Sequence, residues 1–422
     1  MLDSAFIRKN KDIVKAALGR RGYDFNVEEF DRLDAQRNLS QQKAERIFAL
    51  QKVNSGEVAK ARRHEQDASA LISHGESLRL QADEANRDMA SALDAISVFL
   101  ADVPNIPSHE VPDGGGEVDN VLLREFGQPR VFDFSPKTHD EIGSRLNGLD
   151  FDAAASMSGA RFAVAYGDIA RLHRALVQFM LDTHVDENGY REVEVPYLVR
   201  SSALEGTGQL PKFEDDLFKL ERDNLYLIPT AEVPVTNLVA NQVVKHADLP
   251  IAYVSHTPCF RREAGSAGRD MKGLIRQHQF HKVELVRFCT QEQSAEQFKK
   301  LLSHAESILQ KLELPYRTMS LCAGDIGFSS EKTVDLEVWL PGQMAWREIS
   351  SVSSFGTFQA RRMKAKYKDI SGKNQLLCTL NGSGLAAGRA LVAVLENYQK
   401  EDGTVAVPTV LQPYMNGKTF VG

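Results

Sequence analysis

The chain has 422 residues, and its 51 lysines and arginines stand against 57 aspartates and glutamates, a net charge of −6. That length suits roughly two to three domains with a large core, and the acidic balance means that any RNA contact must rest on local basic patches. No apolar run approaches the ~20 residues of a membrane span, and the opening MLDSAFIRKNKDIV, with Asp3 and no apolar core, does not read as a secretory signal.

Residues 1–25 read as a short helical lead-in that ends at Gly22. From Val27 to about Leu100 there is no proline and charge is dense, the composition of long helices. In the second half Ala68, Leu71, Gly75, Leu78, Ala82, Ala85, Met89, Ala92, Ile96 and Phe99 recur at spacings of three and four. That is a heptad seam whose small residues let a partner helix come close. The first half offers Phe30, Leu33, Ala44 and Ile47, interrupted by Arg37, Ser40, Gln51 and Asn54. A break near 61–66 would fold the two halves into an antiparallel coiled-coil hairpin; an intermolecular coiled coil is the alternative. The poor first seam favours the hairpin, because it could not sustain a zipper by itself.

The stretch VPNIPSHEVPDGGGEVDN concentrates Pro, Gly and acidic residues, a boundary signature that divides the chain into domains 1–103 and 104–422. A short strand at 162–166 precedes an amphipathic helix with Ile169, Leu172, Leu176 and Met180 on one face. From 190 to 380 the segments 193–199, 224–235, 251–260, 280–289, 333–340, 346–352 and 375–381 read as strands, with a helix at about 291–313 among them. Successive strands with few crossover helices suit an antiparallel sheet and an α+β fold. Near the end, GSGLAAGR mimics a dinucleotide-binding loop, but too little chain follows for a second βαβ unit. Gly384 and Gly388 are better read as letting a helix pack on the sheet, with Arg389 turned toward a site. Cys259, Cys289, Cys322 and Cys378 lie far apart with no CxxC spacing, as buried free thiols of a reducing cytoplasm do.

The stretch Thr257–Leu285, TPCFRREAGSAGRDMKGLIRQHQFHKVEL, reads as two strands joined by a Gly-rich charged loop. Alternation puts Arg261 and Glu263 on one face of the first strand, and Phe280, Lys282 and Glu284 on one face of the second. The loop carries Arg262, Arg269, Asp270, Lys272 and Arg276. Fixed charges and an aromatic beside a cationic loop suit an anionic ligand with a flat ring. A solvated hairpin with surface charges is the alternative at this point.

FRRE followed by RQHQFHKVE resembles motif 2 of class II aminoacyl-tRNA synthetases, in the bacterial form of the seryl-tRNA synthetase family. GYREVEVPYLV at 189–199 looks like motif 1, with Pro196 as its proline, and LNGSGLAAGRALVAVLENY at 380–398 like motif 3, with Arg389 as its arginine. GTGQLPKFEDDLF, IPTAEVPVTN, WREISSVSS and QPYMNG follow the same family. The resemblance spans the chain. It implies a class II antiparallel sheet flanked by helices behind an N-terminal helical arm. It also implies ATP-dependent attachment of L-serine to tRNA(Ser), and to tRNA(Sec) where that exists, by a cytoplasmic homodimer using Mg²⁺.

By that resemblance Arg261 would hold the α-phosphate and Arg389 the γ-phosphate, and Glu348 would complete the catalytic set. Glu263 would accept from the adenine amino group, and Phe280 would stack on the ring. Arg262, Ile349 and Ser350 would add nucleotide contacts, and Glu348 and Ser351 would ligate Mg²⁺. Straight alternation cannot put those two on one face, so a bulge or turn is expected between them. Thr230, Ala231, Glu232, Glu284, Asn381 and Ser383, with Arg261, would form the serine pocket. Lys60, Arg62 and Arg63 at the arm's tip would meet tRNA phosphates. Met271, Lys272, Ser354 and Thr357 depart from the family's usual residues, and Arg63 and His64 stand where a turn glycine is typical. A ligase charging a carrier protein would lack the arm, and a non-catalytic paralogue would have lost motif arginines or glutamates.

Overall fold

The computed structural model describes residues 1–264 and 273–422, so Arg269, Asp270, Met271 and Lys272 lie outside the described residues. The chain forms two compact units, one of Leu2–Gly19 and Tyr23–Val103, the other of Met1, Arg20–Gly22 and Pro104–Gly422. No helix among the described residues is long and apolar enough to cross a membrane.

The first unit contains α1 (Ser4–Lys9), α2 (Lys11–Gly19), α3 (Val27–Arg63) and α4 (Ser69–Ala101). Asp3 caps α1 by accepting from the Ala5 amide at 2.8 Å, and Asn26 caps α3 by accepting from Glu29. The helices α3 and α4 run antiparallel, as the seam requires. Ala44 and Ile47 pack on Ala82 and Ala85, and the Lys43 ammonium reaches Asp88 at 2.9 Å.

Two of the polar residues that interrupt the α3 seam, Gln51 and Asn54, cross-link the pair instead of breaking it. Gln51 Nε2 donates to the Leu78 carbonyl at 3.2 Å, and Asn54 Nδ2 to that of Leu71 at 3.0 Å. A Cβ at position 75 would lie 2.9 Å from Asn54 Nδ2, so Gly75 makes the room for that amide. The tip turn occupies residues 64–68, and Glu65 takes the left-handed conformation (φ 55°) that a glycine would adopt more cheaply. Lys60, Arg62 and Arg63 are exposed in the last turn of α3, where cations also suit the helix dipole.

The second unit is built on eight strands: β1 (Val121–Phe126), β2 (Arg191–Glu192), β3 (Ile251–Phe260), β4 (Gln279–Cys289), β5 (Tyr316–Ser320), β6 (Lys332–Leu340), β7 (Ala345–Ser354) and β8 (Cys378–Ala386). They lie in the order β1-β5-β6-β7-β8-β4-β3-β2, antiparallel except for β2 beside β3. Helices α5 (Gly167–Asp182), α6 (Ser294–Lys311) and α7 (Ala387–Asn397) belong to the core of one face, where Leu172, Leu301 and Leu391 join Val283 and Leu285 of β4. On the other face Val286 and Phe288 pack on Val195, Val235 and Met363. That leaves Phe280, Lys282 and Glu284, further along the same face, free to line a cavity.

Several expected elements differ. Strand β3 ends at Phe260, so Arg261 and Glu263 sit on the turn beyond it, with Glu263 at φ 54°. The segment 224–235 is a three-residue strand, Leu225–Leu227, followed by a short helix, Glu232–Thr236, because Pro234 falls in the first turn of a helix, where a missing N–H costs nothing. The strand at 162–166 shrinks to Val164–Ala165, and that at 193–199 to Leu198–Val199. The segment 375–381 divides between a small separate sheet and β8. Strands β1 and β5 went unread, β1 because all six of its residues are exposed and show no alternation. Gly384 belongs to β8 and not to the helix, and its carbonyl accepts from His184 Nε2 at 2.8 Å. All four cysteines are buried and free.

Three histidines meet between α5 and the sheet. His256 Nε2 and His281 Nδ1 are 3.0 Å apart with stacked rings, and the His173 ring lies edge-on at 5.5 Å. Burial above all pushes His173 and His256 down to about 4 and lowers His281 as well. Unfolded histidine titrates near ~6.5, so between there and about 4 the unfolded chain binds more protons than the folded one. Stability present above that range is therefore lost as pH falls through it. The melting temperature is expected to drop from pH 7 to pH 5, and His256→Gln to flatten the slope; an unchanged slope would place the acid sensitivity elsewhere.

Candidate active site

A cavity of about 550 Å³ opens on the sheet face opposite the three helices. It is lined from β4 by Phe280, Lys282 and Glu284, from β8 by Asn381 and Ser383, and from β7 by Glu348, Ile349 and Ser351. Thr230 lies on the wall as well, and Glu232, Arg261, Glu263, Arg276 and Arg389 add to its charge. Arg261 and Arg389, from remote parts of the chain, thus share one space.

Register explains how the walls converge. Glu284 pairs with Ser383 across β4 and β8, and with Ser255 across β4 and β3. In β7 the pairing to β6 slips by one: Ser350 faces Leu336 but Glu348 faces Glu337, leaving Ile349 as an extra residue. This is the expected bulge, and it returns Glu348 to the face of Ser351 and Ser353. Thr333, Asp335 and Glu337 of β6 stand opposite Ser353, Ser351 and Glu348. Ser350 is turned to the other face, where its hydroxyl donates to the Ser383 carbonyl at 2.6 Å.

One end of the cavity is organised around Glu284, which has no exposed surface. Its carboxylate accepts from Thr230 Oγ1 at 2.8 Å and Asn381 Nδ2 at 3.2 Å, and pairs with the Lys282 ammonium. Glu232, the first residue of a short helix, has its carboxylate held among the described residues by the Gln359 amide alone, at 2.7 Å. Burial, and then the nearby Glu284, push its carboxyl up to about 7. Ala231, between Thr230 and Glu232, is fully buried and does not line the cavity.

At the other end Arg389, in the first turn of α7, donates to the Glu348 carbonyl at 2.8 Å and lies 3.4 Å from its carboxylate. Arg389, and next Arg261, draw the Glu348 carboxyl below its ordinary range. Asp335 behaves oppositely: burial, and then Glu348, push it well above the usual carboxylate range, and its Oδ1 accepts no hydrogen bond among the described residues. The Arg261 guanidinium lies 5.2 Å over the Phe280 ring and donates to the Pro229 carbonyl. Glu263 reaches Arg276 at 3.6 Å.

Not every expected residue arrives. Arg262 is exposed, with its guanidinium 5.8 Å from the Phe218 ring, away from the cavity wall. Ser354 donates to Glu331 and Thr357 begins a short helix, so neither departure touches the cavity. Three contributors were not singled out from sequence: Lys282, although its face was read correctly; Asp335; and Gln359, which carries no local pattern at all.

A buried staple closes the far side. His139 Nδ1 donates to Glu396 Oε1 of α7 at 2.8 Å, while its Nε2 accepts from the Leu274 amide at 3.0 Å. The Arg389 Nε donates to the next carbonyl, that of Ile275.

Residues 213–398 match the tRNA synthetase class II core domain (G, H, P, S and T), and residues 1–107 the seryl-tRNA synthetase N-terminal domain. A serine–tRNA ligase of Teredinibacter turnerae is 51% identical over 100% of this chain and 99% of its own. One from Laribacter hongkongensis is 54% identical over 99% and 98%. The crystal structure of seryl-tRNA synthetase from Pyrococcus horikoshii complexed with ATP aligns with a TM-score of 0.92 at 36% identity, covering 100% of this chain and 99% of that one.

The bulge has a direct check. Ser350→Ala removes a buried hydrogen bond between β7 and β8 and is expected to cost about 1 kcal/mol in thermal or urea unfolding. No loss would mean that the hydroxyl does not face Ser383 and that the bulge is misplaced.

Proposed function

Since the chain belongs to the serine–tRNA ligase family of class II synthetases, we infer that it activates L-serine with ATP and then seryl-charges tRNA(Ser). The observation that carries this reading is the shared cavity, with Arg261 and Arg389 along its charged wall and the buried Glu284 at one end.

The first step joins a serine carboxylate oxygen to the α-phosphorus and expels pyrophosphate. A carboxylate is already a nucleophile at neutral pH, so the site needs no general base. It needs placement, and cations where charge gathers. Arg261, fixed at the turn after β3, takes the α-phosphate, and Arg389 the γ-phosphate. Phe280 stacks on the adenine ring, Glu263 accepts from its amino group, and the Ile349 backbone adds a wall. Glu284 and Glu232 receive the ammonium, while Thr230, Asn381 and Ser383 surround the hydroxyl. Alanine would leave those groups unpaired, which can cost discrimination factors of about 10⁴.

Glu348 and Ser351 offer oxygen donors on one face, beside Asp335, opposite Ser351, whose Oδ1 has no hydrogen-bond partner among the described residues, a set that fits Mg²⁺. When bound there, the ion would screen the charge of the triphosphate. Lys60, Arg62 and Arg63 at the arm's tip grip tRNA phosphates without reading bases, and tRNA(Sec) is served in the same way where it occurs. The chain acts as a cytoplasmic homodimer. A monomer in sedimentation at micromolar concentration would remove that last part.

Serine-dependent ATP–pyrophosphate exchange tests the site. Glu284→Ala is expected to abolish it, and undiminished exchange would mean that the amino-acid pocket lies elsewhere. A chain lacking about residues 30–98 should retain exchange and lose tRNA charging. Charging that survives the deletion would remove the arm's assigned role.

A further inference from the structure

Among the described residues four cations line the cavity, and each has a resting partner: Arg389 on Glu348, Arg276 near Glu263, Arg261 over the Phe280 ring, and Lys282 on Glu284. Arg389 and Arg261 have phosphates to receive, and Arg276 stands beside Glu263, at the place of the adenine amino group. Lys282 has no such assignment, yet it is buried, lines the cavity, and stands on β4 midway between Phe280 and Glu284. Same-face neighbours on a strand are about 7 Å apart, so Lys282 lies between the place of the adenine ring and the place of the serine ammonium. The α-phosphate and the serine carboxylate must meet in that interval.

The charges point the same way. Glu284 and Glu232 are two neighbouring carboxylates, and the one ammonium between them, that of Lys282, sits directly on Glu284 and acts on Glu232 only through space. A bound serine brings its own ammonium to this pair, together with a carboxylate bonded to the same carbon. Glu284 then holds a second cation, and Lys282 is free to turn to the new anion. We propose that Lys282 is a substrate-contacting catalytic residue: it exchanges Glu284 for the serine carboxylate and holds that group against a non-bridging α-phosphate oxygen. The bond from carboxylate oxygen to Pα forms as the bond from Pα to the bridging oxygen breaks. Pyrophosphate leaves with the electron pair, and no proton moves. The ammonium reduces the repulsion between two anions forced together, which neither substrate can do for the other.

This role rests on the serine-ligase reading, and the experiment separates the two. Absence of serine-dependent exchange in the unaltered protein would defeat that reading whatever Lys282 does. Given exchange, Lys282→Met is expected to lower its kcat by about 10²–10³-fold, the size of effect seen when one preorganised donor is removed. Calorimetry supplies a readout independent of turnover. L-serinamide keeps the ammonium and the hydroxyl but lacks the carboxylate. In Lys282→Met, L-serine should bind at least tenfold more weakly, while L-serinamide binds as well as before or more tightly; Lys282→Arg should keep the preference for serine. Exchange within threefold of the unaltered protein, or both ligands weakened by one common factor, would overturn the proposal. Should Lys282→Met fail to fold with Glu284 uncompensated, the comparison moves to Glu284→Gln with and without Lys282→Gln. Loss of the serine preference on adding Lys282→Gln supports the role, and its survival overturns it.

Discussion

Glu284 carries a charge where no water reaches it. An ion in that position costs several kcal/mol unless it is paired and hydrogen-bonded. Its three partners come from three separate places: Lys282 from its own strand, Asn381 from the neighbouring strand β8, and Thr230 from the lead-in to a short helix. Each needs a fixed register, so the alignment of β4 with β8 and the path of residues 228–232 are settled by one side chain. Glu232, close by and without a paired cation among the described residues, is driven toward the neutral form by the same burial. The pair therefore holds less positive charge than two carboxylates call for, a deficit that an incoming ammonium relieves.

The bulge at Ile349 governs the opposite wall. Without it Glu348 would face the helices α5–α7, burying a charge among Leu and Val side chains. With it the carboxylate sits 3.4 Å from Arg389 and faces open space. The same slip puts Ser350 to structural use, as a bridge between β7 and β8. Two adjacent serines thus have separate duties, and one additional residue in a strand separates them.

Much of this was legible beforehand, for physical reasons that differ by element. The arm's seam on α4 declared itself because small apolar residues recur at heptad spacing over many turns, and they are the ones buried: Leu78, Ala82, Ala85, Ala92 and Ile96. The face of Phe280, Lys282 and Glu284 followed from simple alternation in an eleven-residue strand. Even the bulge could be anticipated, since Glu348 and Ser351 cannot share a face otherwise. What failed was local. Nothing in FRRE announces that β3 stops at Phe260, because the strand ends where pairing stops and not where propensity changes. Thr230–Glu232 looked like strand because β-branched residues surround it, yet tertiary packing on Val286 and Phe288 settled the outcome. Gln359 was invisible, since a side chain that steadies Glu232 from a distant helix leaves no periodic trace.

Gly273 shows how narrowly such a site can be constrained. Its backbone is left-handed at φ +74°, and a Cβ there would fall 2.0 Å from His139 Nε2, the atom that receives the Leu274 amide. Position 273 is thus closed to other residues twice over, by the hand of the chain and by the imidazole. Evolutionary repair through a smaller neighbour cannot reopen it. Trimming residue 139 would clear the space but strand the Leu274 amide and take one donor from the Glu396 carboxylate, and would leave the backbone penalty untouched.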